Sequence, residues 1–393
     1  MNSLPVKILT AILTFAIGVG IASFWLSPWW FNPGIEPVTL TTPATRLEMV
    51  FVLDTTGSMA GLLAGAKERI WGIVNEVMQE SHASVRIGLV AYRDRGDEYL
   101  TQVLPLTEDL DTVYTRLMEY KPAGGGDGPE DVRTALADGV QRAGWSQAAP
   151  NLAQVIFLVG DAPPHDDYKD VAATVVTAAN AVQKGIIVNT IQCGTSSDTE
   201  RAWQTIAQSG NGQYFAIAEN GGVQTIATPY DEQLSDLAGR LGSTVIAFGF
   251  GDGPAAEEQR SSLATRIADI EERVSVEAPA SAKAERALNK VVSKEAYVGD
   301  LLQSIENGSV KIETVNPADL PGYLRTLDPA QRQQEIEKRL AERREIRSQI
   351  LSLSKQRQAY IDGEKKKTGE GKLGFDSVVA KTLKEQMARK QIK

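Results

Sequence analysis

The chain has 393 residues and a formal net charge of −9, long enough for one large or two moderate domains with a sizeable core. That acidity excludes a general nucleic-acid binder, and it is uneven, since residues 255–393 are slightly basic and the excess acid lies before them. A single cysteine, Cys193, excludes an internal disulfide and a cysteine-built metal cluster.

Residues 1–45 form an expected membrane anchor and tether. No charge occurs between Lys7 and Glu36, and the apolar run Ile8–Leu26 is about long enough to cross a bilayer as one helix. Trp25, Trp29 and Trp30 sit where an interfacial aromatic belt would, and Lys7 keeps the amino terminus cytoplasmic. The expectation is a single-pass protein of the cell inner membrane with its bulk exported, periplasmic or extracellular. A cleaved signal peptide, with Gly20-Ile21-Ala22 as its small-residue site, is the rival and would make the protein secreted. Pro28 to Thr45, rich in Pro and Thr, predicts an extended tether.

Met49–Leu53 predicts a buried strand that stops at Asp54. Thr56 and Ser58 follow at alternate positions, Gly57 permits a tight turn, and Leu62, Leu63, Ala66, Ile70, Ile73, Val74 and Val77 mark a helix. Three oxygens at the carboxyl end of a strand suit a hard dication such as Mg2+. The plain alternative is that Asp54 and Ser58 cap the helix. Val85–Tyr92 and Leu100–Leu106 predict strands, and the charged stretch Tyr92–Glu98 between them predicts a solvated turn with local ion pairs. A helix over Thr112–Tyr120 precedes the loop Gly124-Gly125-Gly126-Asp127-Gly128-Pro129-Glu130-Asp131 and a helix from Val132. Val155–Val159 is a second buried strand that runs into an aspartate, Asp161. His165 beside it predicts a surface group, and His82 an ordinary helix end. A helix Val171–Gln183, a strand Ile186–Gln192 ending at a buried inert Cys193, a helix Glu200–Ser209 and a strand Gln213–Ile217 follow. A helix Asp231–Leu241 and the apolar segment Thr244–Phe250 close the domain. This alternation predicts an α/β fold with a doubly wound, mostly parallel sheet. Right-handed crossovers then bring the Asp-terminated strands to one face.

Asp54-Thr55-Thr56-Gly57-Ser58 resembles the Asp-x-Ser/Thr-x-Ser motif that opens the metal-ion-dependent adhesion site of von Willebrand factor type A (VWA) domains, here of a membrane-anchored bacterial type. The resemblance covers about Arg46 to Phe250. It implies that Thr56 and Ser58 ligate the metal directly and that Asp54 and Asp161 hold it through bound waters. The family usually supplies a threonine from the loop that here carries Asp127, so Asp127 becomes the fifth candidate. An added carboxylate there would weaken the ion's pull on an acidic group. Glu130 and Asp131 fit the first turn of the next helix. The implied cofactor is Mg2+, or Mn2+ or Ca2+, and the implied partner is a protein offering a carboxylate to the metal.

After the turn-rich Gly251–Pro254 the composition shifts, so 46–250 and 251–393 are expected as a VWA domain and a charged, mainly helical region. Leu263, Ile267, Ile270 and Val274 step at helical spacing, and Ile336, Leu340, Ile346, Ile350 and Leu353 do so less regularly. A coiled-coil arm and a helical stalk packed on the main domain both fit. Gly363–Gly374 predicts a polar break before a last helix, Phe375–Ile392. The expectation is a non-enzymatic, cation-dependent binding module. Two alternatives stand beside it. Asp-Thr-Thr-Gly-Ser is also similar to the phosphorylation motif of P-type ATPases and haloacid-dehalogenase-like phosphohydrolases, which would make Asp54 a nucleophile. A scaffold with a vestigial metal site is the other.

Overall fold

The computed structural model describes residues 45–389 apart from 82, 220–225, 295 and 369–374. The expected span Ile8–Leu26, its tether and His82 lie outside the described residues. Among the described residues no helix is long and apolar enough to cross a membrane.

Six strands form one sheet: β1 (Arg46–Asp54), β2 (Ser84–Tyr92), β3 (Thr101–Thr107), β4 (Leu152–Gly160), β5 (Ile187–Cys193) and β6 (Asn211–Ile217), in the order β3-β2-β1-β4-β5-β6. All neighbours pair parallel except β3, which runs antiparallel to β2 at one edge. β4 is buried at every residue and β1 at all but its first, as central parallel strands covered on both faces must be. The edge strand β3 carries Pro105, a residue that cannot donate to a ladder and belongs at an edge.

The two faces of β1 feed two cores with the strand's period of two. Met49, Phe51 and Leu53 face one cluster with α1 (Ala60–Ser81) and α2 (Leu110–Glu119), and Val50 and Val52 face another with α3 (Val132–Gln141), α4 (Thr174–Gln183) and α5 (Ser197–Ser209). Phe51 and Phe157 stack across β1 and β4 with ring centroids 5.5 Å apart. The predicted elements occur with boundary shifts of a few residues. The last apolar segment, Thr244–Phe250, is not a strand and makes only an isolated bridge from Ala247 to Asp300.

The chain continues through α6 (Asp231–Ser243), α7 (Pro254–Glu277), α8 (Ala280–Val292), α9 (Leu301–Glu306), α10 (Gly322–Arg325), α11 (Pro329–Thr368) and α12 (Phe375–Arg389). These helices pack against the sheet domain in one compact unit. α8 and α12 lie on α1, and α6 and α11 pack with α8. Val378, Val379 and Leu383 of α12 enter the same cluster as Met49 and Phe51. Asn189 of β5 and Gln386 of α12 exchange two amide hydrogen bonds of 3.2 and 2.7 Å in a fully buried setting. Arg286 of α8 makes a bidentate pair with Asp111 of α2, at 2.8 Å on each oxygen. It also reaches Glu271 of α7 at 2.6 and 2.7 Å, and Lys290 closes on Asp111 from the same helix.

α11 continues through Gly363 to Thr368, so the first residues of the predicted break Gly363–Gly374 are helical, and residues 369–374 lie outside the described residues. Ile336 and Leu340 at one end of α11, and Ile346 and Ile350 further on, enter two different clusters of this same chain. Its apolar positions are thus spent on the domain itself, as a packed stalk spends them, not on the heptad seam of a coiled-coil arm.

Candidate metal centre

Strand order reverses between β1 and β4. From β1 the chain moves outward through β2 to β3, and β4, β5 and β6 fill the other side. Ligands in open α/β sheets bind at the carboxyl ends of strands at such a switch point. Asp54 ends β1, and Asp161 follows the last residue of β4.

Asp54 is fully buried. Its Oδ1 accepts from the Thr56 backbone N–H at 2.8 Å and from the Thr56 hydroxyl at 2.6 Å. Its Oδ2 is buried without a hydrogen-bond partner. Thr56 Oγ1 lies 3.4 Å from Ser58 Oγ, and Ser58 is exposed at the mouth of a single 3-10 turn, Gly57–Met59, that opens α1. The hydroxyl of the residue between, Thr55, points elsewhere and donates to the Tyr92 carbonyl at 2.8 Å. The capping alternative is not what the turn does: Thr56 occupies the N-cap position and no side chain caps there.

Thr56, Ser58, Asp127, Glu130, Asp161 and Thr199 line one cleft of about 530 Å³. The loop bearing Asp161 is held from α5, since Thr199 Oγ1 donates to the Asp161 carbonyl at 2.9 Å and Trp203 Nε1 to the Ala162 carbonyl at 3.1 Å. The glycine-rich loop reaches the motif directly: Gly57 N–H donates to the Gly124 carbonyl at 3.3 Å. Gly124 has φ +79°, and a Cβ there would sit 2.4 Å from the Asp97 carboxylate, so only glycine permits this approach.

Of the five predicted ligands, Thr56, Ser58, Asp127 and Asp161 therefore share a cleft, and Asp54 lies beneath Thr56. Asp127 is largely exposed, at 61% of its side chain, and its Oδ1 faces His165 Nε2 at 3.6 Å. Glu130, expected in the first turn of the next helix, lies before α3 instead. It is buried at the junction of two loops, where its N–H donates to the Pro163 carbonyl at 3.0 Å and its carbonyl accepts from His165 N–H at 3.1 Å. Its side-chain Oε2 has no partner. Position on a loop between two Asp-terminated strands was the available signal. Asp131, by contrast, caps α3 as its position suggests, accepting from Thr134 N–H at 2.9 Å.

Two further expectations need correction. His165 is buried, not a surface group, because Tyr168 stacks on its ring at 4.1 Å. The stretch after Tyr92 is an exposed turn only at Arg95, Gly96 and Glu98, with a local ion pair from Arg93 to Glu98 at 3.3 Å, whereas Arg93 and Asp94 are buried. Arg93 spans the loops, donating to the carbonyls of Thr55 at 3.3 Å and Lys121 at 2.7 Å.

The electrostatics follow from crowding carboxylates away from water. Burial, offset in part by the Thr56 hydrogen bonds and reinforced by Asp161, pushes Asp54 up to about 7. Burial, then the charges of Asp54, Asp94, Asp97 and Asp161, pushes Glu130 up to about 9. Buried oxygens with no partner are costly, and two of them beneath two hydroxyls make an oxygen-only donor set that fits a hard dication. Gly160 keeps the floor open: a Cβ there would lie 2.5 Å from Tyr92 Oη and 3.2 Å from Asp54 Oδ2. Gly160→Ala is expected to destabilise the protein by about 1–3 kcal/mol through overpacking and to weaken divalent-cation binding, as read by urea denaturation and calorimetry. A variant as stable as wild type would show that Tyr92 can yield.

A family model described as the von Willebrand factor A domain matches residues 48–229. The von Willebrand factor A domain-containing protein 7 of Rattus norvegicus is 28% identical over 204 residues, which cover 52% of this chain and 21% of that protein. The chain thus spans about a fifth of that relative's length. Among solved structures, BatB from Bacteroides thetaiotaomicron is similar at 18% identity and a TM-score of 0.35, covering 44% of this chain and 91% of that one. Proximal thread matrix protein 1 from the mussel byssus, solved with a zinc-occupied MIDAS motif, is similar at 12% identity and a TM-score of 0.35, covering 45% and 43%. Residues 48–229 are thus similar to the von Willebrand factor A domain, and the sheet order and the motif at the end of β1 agree with that match.

Proposed function

We propose that this domain is an exported, membrane-tethered binding module that captures an acidic group of a protein partner through a divalent cation. The observation that carries the reading is the pair of orphaned buried oxygens, Asp54 Oδ2 and Glu130 Oε2, under an open cleft edged by the Thr56 and Ser58 hydroxyls. Thr56 and Ser58 would hold the ion, with Asp54 and Asp161 behind them and Asp127 at the rim. When bound, Mg2+ or Mn2+ supplies an exchangeable coordination position suited to a carboxylate oxygen. The protein's own part is to keep the donors aimed. Thr56 is oriented by its two bonds to Asp54, and Asp161 by the α5 contacts to its loop. The ion also relieves the charge repulsion that burial imposes on Asp54 and Glu130.

Burial of Asp54 favours binding over phosphoryl transfer. A nucleophilic carboxylate needs in-line access, whereas one oxygen of Asp54 is occupied by Thr56 and the residue is 0% exposed. Export and tethering rest on the apolar run before residue 45.

Titration calorimetry on the full-length chain tests the site. Wild type is expected to bind one Mg2+ or Mn2+, and Ser58→Ala to lose at least about tenfold in affinity, each tenfold being about 1.4 kcal/mol. A partner captured in Mg2+ and released by chelator should not be captured by Ser58→Ala. Unchanged metal binding by that variant would refute the assignment. A reporter fused after Lys393 and active only outside the cytoplasm tests the export.

A further inference from the structure

Beside the cleft, His165, Asp94 and Asp127 converge from three separate loops, with one potential ligand atom from each within 4.8 Å of the others. His165 Nε2 lies 3.4 Å from Asp94 Oδ2 and 3.6 Å from Asp127 Oδ1. It is buried and has no hydrogen-bond partner. These separations are too long for a charge-assisted hydrogen bond, which closes to about 2.7–2.9 Å. They are close to the edge of a tetrahedron around zinc, about 3.3 Å for metal–ligand bonds of about 2.0–2.1 Å, and the third pair, Asp94 with Asp127, lies within 4.8 Å.

The surroundings are those of a metal-bound histidine. Its other nitrogen, Nδ1, is 2.8 Å from Asp167 Oδ1, the carboxylate contact that fixes tautomer and ring orientation in such sites. Tyr168 stacks on the ring and donates its hydroxyl to both oxygens of Asp94, at 3.0 and 3.1 Å. The Tyr168 ring is clamped in turn by the Arg95 guanidinium, 3.8 Å from its centroid. Two of the three donors, Asp94 and His165, are buried and held. Asp127 is exposed and can complete the set.

We propose that His165, Asp94 and Asp127 form a second metal site, sharing Asp127 with the hydroxyl-edged cleft, that takes a transition dication such as Zn2+. An imidazole nitrogen with two carboxylates selects such an ion over Mg2+, which prefers all-oxygen octahedral shells. Asp127 sits in both environments, so occupation of this site fixes the glycine-rich loop at the rim of the cleft. The assignment does not rest on the cleft's binding function.

The test is zinc binding by the full-length chain, stripped with chelator and dialysed against Zn2+ in excess Mg2+. Wild type is expected to retain one Zn2+ per chain. His165→Ala should lose it, with affinity lower by about a hundredfold or more. Asp167→Asn should weaken it by about 10–100-fold, the usual effect of removing a ligand's supporting carboxylate. Asp167 is exposed, so this second variant carries the test should His165→Ala fail to fold. Ser58→Ala should keep its zinc. No zinc on wild type, zinc unaffected by His165→Ala and Asp167→Asn, or zinc lost equally in Ser58→Ala would each overturn the proposal. The last result would mean a single ion in the cleft. Loss of Mg2+ sensitivity without loss of zinc would separate the two sites, while Mg2+ binding untouched by Ser58→Ala would sink the cleft reading alone.

Discussion

Asp54→Asn is expected to abolish divalent-cation binding and, at the same time, to stabilise the metal-free protein above neutral pH. Asparagine keeps the acceptor that orients Thr56 but removes the charge that burial disfavours. The sign follows from the raised value of Asp54, about 7 against an ordinary 3.8. Below about pH 4 the folded and unfolded chains both carry the proton and no penalty exists. Between about pH 4 and about 7 the unfolded chain releases its proton while the folded one retains it, so stability falls as pH rises. Above about pH 7 the loss is constant and amounts to at most about 4 kcal/mol, at about 1.4 kcal/mol per unit. Urea denaturation at pH 5 and pH 8 in chelator should therefore show a smaller decline for Asp54→Asn than for wild type, with the residual decline reflecting Glu130. Saturating Mg2+ should restore wild type at pH 8, by about 2.7 kcal/mol at a hundredfold excess over Kd, and do nothing for the variant. A variant less stable than wild type at pH 8 would contradict the account of Asp54 as a charge held unpaired.

The second large effect is expected at Arg286, in the contact between the carboxyl-terminal helices and the sheet domain. Burial raises the Asp111 carboxyl, but the Arg286 and Lys290 charges outweigh it and hold the group well below the usual carboxylate range. Arg286 itself is 2% exposed and bonds both Asp111 and Glu271. Arg286→Ala leaves two acidic groups facing one lysine, and breaking a buried pair by removing one partner costs about 3–5 kcal/mol. Since Arg286, Asp111 and Glu271 belong to α8, α2 and α7, the variant should also unfold less cooperatively, with a reduced denaturant slope. The double replacement Asp111→Ala with Arg286→Ala should cost less than the sum of the single ones, because neither charge is then stranded. A loss under about 1 kcal/mol for Arg286→Ala would show that water already reaches the pair, as it does at surface bridges.

Local pattern accounts for what could be read from the chain alone. The five apolar residues before Asp54, and those before Asp161, predict central strands because both faces of each must be covered, and the hydroxyls of Thr56 and Ser58 are spaced to emerge on one side of the turn. What could not be read depends on distant convergence. Glu130 looks like an ordinary first-turn acid; its burial comes with the backbone bonds that tie it to Pro163 and His165, more than thirty residues along the chain. His165 meets Asp94 from 71 residues away through a stack that local spacing does not reveal. The weak periodicity of α11 has a similar cause. Its apolar positions turn toward one cluster near Ile336 and another near Ile346, so no single stripe runs its length. The acidic and basic halves of the chain also have an internal meaning, since Arg286, Lys290 and Arg357 of the latter neutralise Asp111 and Asp231 of the former.

β1 begins at Arg46 and ends at Asp54, so the chain enters the sheet at the opposite extremity from the cleft, about 30 Å away for nine extended residues. A load borne between the amino-terminal chain and a ligand gripped at Asp54 would travel along this one central strand. Because the backbone of β1 is continuous between the two ends, its ladder to β4 would carry, in shear, only the share of load that the ion passes to Asp161. The geometry is that of a rivet through the middle of the domain, and mechanical endurance would be set by β1 long before any helix on the outside came loose.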